Sequence, residues 1–125
     1  MNHEPNEAEL FLTSNMHNVP LRYQNLLLCE LGQCYAGQRR FDEALKCFKL
    51  SATLTFESSG EGVEYWRVVR SKARLYLYLG EIDKTITTMH SVIDKFRHLF
   101  DDNSERMIEN YILLTTAVIL KGRYE

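Results

Sequence analysis

The stretch "LGQCYAGQRRFDEALKCF", Leu31 to Phe48, decides the fold. Leu31, Gly32 and Tyr35 precede "GQRR", and Ala44, Cys47 and Phe48 follow it, each set at helical spacing. The segment reads as the end of one helix, a tight turn, and the start of a second helix that folds back on the first. It holds no plausible catalytic set, so its purpose has to be sought in what surrounds it.

Upstream, Pro20 follows Asn18-Val19 and opens the first of these helices, because its fixed φ suits a first turn and its missing N–H would have no partner there. That helix is expected to run to about Ala36. The second carries Ala44, Cys47, Phe48 and Ser51 on one side and stops at "ESSGEG", where Gly60 and Gly62 are too costly for a helix interior. "VEYWRVVRSKARLYLYL" gives a third helix, "GEIDKTI" a second turn, and "KTITTMHSVIDKFRHLF" a fourth helix. "DDNSE" caps a fifth, "RMIENYILLTTAVIL", and "KGRYE" reads as a third turn. Residues 7 to 14 are expected to form at most a short capping helix, so residues 1–19 stand apart from a helical domain of residues 20–125.

Composition sets the bounds. A chain of 125 residues, 45% hydrophobic and 26% charged with a net charge of −2, is an ordinary globular composition that offers no overall attraction to nucleic acid or anionic lipid. "MNHEPNEAELFL" has no basic flank and no long apolar run, so neither a signal peptide nor a membrane anchor is expected. Cys29, Cys34 and Cys47 are odd in number and fit no disulfide framework, which agrees with a reducing, cytoplasmic setting.

The turns repeat. Arg39, Gly80 and Gly122 each stand two residues before an apolar or aromatic side chain, Phe41, Ile82 or Tyr124, at intervals of 41 and 42 residues. A period of that size is the signature of stacked helical hairpins, each of which needs a neighbour to bury its second face. The first unit resembles a tetratricopeptide repeat, with L-G-x-x-Y at Leu31, Gly32 and Tyr35 and A-x-x-x-F at Ala44 and Phe48. It departs from that pattern at Leu28 and Phe56, where the family has Trp and often Pro. The second unit matches at Ala73, Tyr76 and Gly80, with Thr85 and Met89 in the places of Ala and Phe; the third matches at Tyr111, Leu114 and Gly122, with Thr115 at the small position. The long period is similar to that of kinesin light chain-type repeats. The resemblance covers residues 20 to 125 and implies an all-α, right-handed α-solenoid of stacked antiparallel helix pairs, about two and a half repeats long.

Candidate chemistry is sparse. No C-x-x-C, H-x-x-x-H, G-x-S-x-G, P-loop or G-x-G-x-x-G occurs, so no metal, cofactor or enzyme activity is expected. One surface signal stands out. Trp66, Val69, Ala73 and Tyr76 recur at three and four residues and face the core, while Arg67, Arg70 and Arg74 recur one residue later as a basic stripe pointing away from it, with Tyr78 beyond.

In tetratricopeptide proteins the first helix of each unit lines a concave groove, so the resemblance implies that this stripe looks into one. Cys29, Glu30 and Gln33 would flank it from one neighbour, and Glu109, Ile112, Leu113 and Thr116 from the other. Guanidinium groups between such rims suit an acidic or C-terminal peptide, which they pair bidentately. The Lys and Asn set of chaperone-tail clamps is absent. A non-enzymatic protein-interaction module follows.

The alternatives are a structural role through self-association and, less favoured, an RNA-binding solenoid. The helix ending the chain is apolar nearly all round and, should its hairpin mate be missing, leaves Ile108, Ile112 and Ile119 as a self-association face.

Overall fold

The computed structural model of the chain describes residues 7–99 and 104–124. Among them the regular elements are all helical: α1 Glu7–Asn15, a single 3₁₀ turn Met16–Asn18, α2 Leu21–Gly37, α3 Phe41–Ser59, α4 Val63–Tyr78, α5 Ile82–Arg97 and α6 Glu105–Tyr124. Consecutive helices pack in adjacent pairs, and the chain divides into two compact units, Met1–Gly60 and Glu61–Glu125.

In the first unit α2 and α3 form a hairpin on which α1 makes a light contact. Leu31, Ala44, Phe48 and Ala52 are its buried apolar residues. A polar seam runs beside them: Asn25 Nδ2 donates to Thr55 Oγ1 at 2.9 Å, Ser51 Oγ to the Asn25 carbonyl at 2.7 Å, and Thr55 Oγ1 to the Ser51 carbonyl at 2.7 Å. These polar groups are buried and paired, which holds the helices in one register without leaving a desolvated donor.

In the second unit α5 packs against both α4 and α6. Trp66, Val69 and Ala73 of α4 meet Met89, Val92, Ile93 and Phe96 of α5, and Met107 and Leu113 of α6 complete the cluster. Thr85 Oγ1 is buried and donates to the Ala73 carbonyl at 3.2 Å, so a hydroxyl is satisfied at the hairpin's crossing.

The two hairpins repeat each other residue by residue at 41. Gly32 and Ala73, Ala44 and Thr85, Phe48 and Met89, Ser51 and Val92, Ala52 and Ile93, and Thr55 and Phe96 are buried at matching places. Their turns share one hydrogen-bond pattern. Arg40 N–H reaches the Tyr35 carbonyl at 2.9 Å and Arg39 N–H that of Ala36 at 3.0 Å; Glu81 N–H reaches Tyr76 at 2.9 Å and Gly80 N–H reaches Leu77 at 3.1 Å. This is the Schellman closure, which needs a left-handed residue just past the helix. Arg39 at φ 62° and Gly80 at φ 79° supply it. A cation caps the ring at each turn, Arg40 over Tyr35 at 4.4 Å and Lys84 over Tyr76 at 5.5 Å.

The third turn does not form as the sequence reading expects. "KGRYE" carries a glycine at the right interval, yet α6 continues through Gly122 to Tyr124. Gly122 stays helical because nothing there demands a left-handed residue, and Lys121 Nζ holds the last turn of α6 against α5 by donating to Asp83 Oδ1 at 2.8 Å. The cap expected at "DDNSE" lies outside the described residues except for Ser104 and Glu105; Ser104 Oγ accepts from Met107 N–H at 3.4 Å.

Candidate functional site

The basic stripe on α4 is confined to a narrow arc, because the helix is buried on two sides. Trp66, Val69 and Ala73 face the cluster shared with α5, and Val68 and Leu75 on the opposite side are buried as well. Tyr76 is half-buried at the edge. The arc left over holds Arg67, Ser71, Arg74 and Tyr78, of which Tyr78 is 61% exposed.

Spacing alone turns all three arginines outward together. The structure divides them. Arg67 lies half-exposed and pairs with Glu64 one turn earlier at 3.3 Å. Arg74 is exposed and makes no ion pair among the described residues. Arg70 has only 18% of its side chain exposed and is tied to α6: its Nη1 donates to Asn110 Oδ1 at 3.3 Å and lies 3.3 Å from Glu109 Oε2. It therefore joins two helices, and the stripe's accessible positive charge is left to Arg67 and Arg74.

Asn110 is fully buried in α6, and among the described residues its Nδ2 has no hydrogen-bond partner; neither does the buried indole Nε1 of Trp66. Sequence reading passed over Asn110 although a signal was there. It stands three residues after Met107 and three before Leu113, on the buried side of an apolar helix, where a polar residue implies a polar partner from the facing helix.

On α6, Glu109, Ile112 and Thr116 are exposed beside the Arg70 junction, with Thr116 Oγ1 bonded back to the Ile112 carbonyl at 2.8 Å. Ile108, Ile112 and Ile119 are 49%, 61% and 52% exposed. Glu30 and Gln33 are exposed on α2 in the first unit, and Cys29, Cys34 and Cys47 are of intermediate exposure and in no disulfide.

A shallow open depression lined by Tyr76, Asp83, Lys84, Thr87 and Thr88 is occupied at its rim by the Lys84–Tyr76 contact, and Asp83 is engaged by Lys121. Among the described residues no group of three or more His, Cys, Asp or Glu side chains is placed to hold a metal ion, and no helix is long and apolar enough to cross a membrane. Comparison with family models, with curated proteins and with solved structures gives no match for this chain.

Proposed function

We propose that the chain is a non-enzymatic helical-repeat module of the tetratricopeptide kind, a right-handed α-solenoid in design, which binds a segment of a partner protein. The observation that carries this reading is the repeat itself: two hairpins 41 residues apart share their buried positions and their Schellman turns. Repeats of this sort present the same face of each unit to solvent, and extended segments are recognised along such faces. Within the second unit, α4 and α6 meet at Arg70, so Arg67, Arg74 and Tyr78 lie on one side of that junction and Glu109, Ile112 and Thr116 on the other. The partner segment is acidic. Two accessible guanidinium groups on the α4 arc, beside an exposed tyrosine ring, suit carboxylates and an adjoining apolar residue.

Fluorescence anisotropy with a labelled Asp/Glu-rich peptide and a neutral peptide of equal length tests the reading. Preference for the acidic peptide, weakened about tenfold in the Arg67→Glu/Arg74→Glu variant, is the expected result. Equal affinity for the two peptides, or binding that the variant leaves unchanged, would remove the α4 arc as the site.

A further inference from the structure

We infer that the chain pairs with a second copy of itself through α6, the two helices lying antiparallel. Ile108, Ile112, Thr115 and Ile119 follow one another at steps of four, three and four, and all four are exposed. That spacing keeps them on one line along the helix, the seam of a two-helix contact. Met107, Asn110, Leu113 and Ala117, on the opposite side, are the residues α6 buries within its own unit. The helix thus carries two faces, one used and one open.

The open face is the repeat's own packing face. One interval of 42 earlier, Ile108, Thr115 and Ile119 become Trp66, Ala73 and Leu77, all packed in the cluster that α4 forms with α5. An interval of 41 further back stand Asn25 and Gly32 of α2, buried in the hairpin with α3. A surface of this make is fitted to receive a helix.

Charge names the occupant. Glu105 in the first turn and Arg123 in the last are exposed, and neither makes an ion pair among the described residues. They are 18 residues apart, which is five full helical turns, so they lie on the same flank of the isoleucine line at its two ends. In an antiparallel pair each flank meets itself. Glu105 of one copy then comes beside Arg123 of the other, and the reverse contact forms by symmetry at the far end. The same arrangement sets Ile108 against Ile119 and Ile112 against Thr115, and opposes the two helix dipoles favourably. A parallel pair would set each Glu105 and Arg123 against the partner's opposite flank and lose every one of these matches. Lys121 is not needed, since it is held by Asp83 of its own chain.

Sedimentation equilibrium of the whole chain from about 1 µM to about 1 mM tests the pairing. A monomer–dimer equilibrium is expected. Ile119→Lys abolishes the dimer while helix content stays as in the wild type, since Ile119 is exposed in the isolated chain. Glu105→Arg and Arg123→Glu each raise the dissociation constant about tenfold, and the double variant returns it to within about twofold of the wild type. A monomer at every concentration overturns the proposal, which would be the outcome if a helix of another protein covers this face. So does a dimer that survives Ile119→Lys, or a double variant as weak as the single ones. None of these results bears on the α4 arc, whose peptide assay is read on the Ile119→Lys chain as well as on the wild type.

Discussion

Gly32 lies so close to the ring of Phe48 that a β-carbon at position 32 would fall 2.8 Å from Cε1 and 3.0 Å from Cδ1. Phe48 is buried in α3, so its ring has no free path of retreat, and α2 and α3 cross at this point because position 32 has no side chain. Gly32→Leu is expected to destabilise the first unit by about 1–3 kcal/mol through overpacking. Gly32→Ala sets a helix-propensity gain of about 1 kcal/mol against the same clash and stays net destabilising, unless Phe48→Leu is added to make room. Thermal unfolding of the three variants checks this, and a melting temperature unmoved by Gly32→Leu would mean that the helices do not cross there.

The paired turns make an opposite prediction for one residue type. Arg39 holds a left-handed φ of 62° that costs an L side chain roughly 1–2 kcal/mol, whereas Gly80 meets the same need at φ 79° without that penalty. Arg39→Gly should stabilise the protein by about 0.5 kcal/mol once the greater freedom of the unfolded glycine is set against the relieved strain, and Gly80→Ala should destabilise it by about 1 kcal/mol. Denaturant midpoints at equal m-value are the measurement. Shifts of the same sign in both variants would contradict a shared turn.

Arg70 and Asn110 form a junction whose cost shows when one half is removed. Arg70→Met takes away the donor to a buried side-chain oxygen and is expected to cost about 1–3 kcal/mol, while the Glu109 it also releases is exposed and returns to water. Adding Asn110→Leu deletes the orphaned amide together with its already unpaired Nδ2 and should recover most of the loss. The coupling in a double-mutant cycle is the readout, and additive effects would mean that the two side chains do not act together.

How far the sequence carried can be judged at particular residues. Gly32, Ala44 and Phe48 revealed the first hairpin because a close crossing needs small and large residues at fixed spacing, and this is local information. The turns at Arg39 and Gly80 were legible for the same reason. Gly122 was misleading: a glycine permits a turn but does not impose one, and α6 runs on through it without a left-handed residue. The α4 stripe was visible in its three-and-four spacing, but the separation of Arg70 from Arg67 and Arg74 was not. It depends on the register of α6 against α4, which no local pattern encodes.

That separation gives the last prediction. If the accessible charge of the α4 arc rests on Arg67 and Arg74, the three arginines differ in what their loss does. Arg74 is exposed and without an ion pair among the described residues, so Arg74→Glu should leave the melting temperature within about 2 °C of the wild type, as surface changes within ±0.5 kcal/mol do, while weakening the acidic peptide about fivefold. Arg67→Glu sets a second acid beside Glu64 and should cost a few tenths of a kcal/mol together with a comparable loss of binding. Arg70→Met should do the reverse, lowering stability through Asn110 and changing affinity little once the folded fraction is corrected for, because its guanidinium is already held by α6. Raising the salt should erase the difference between wild type and Arg74→Glu, since charges so exposed are screened within about 8 Å at physiological ionic strength. Peptide affinity and thermal stability measured on the same three variants separate the roles; a fall in affinity for Arg70→Met as large as for Arg74→Glu would return Arg70 to the binding surface.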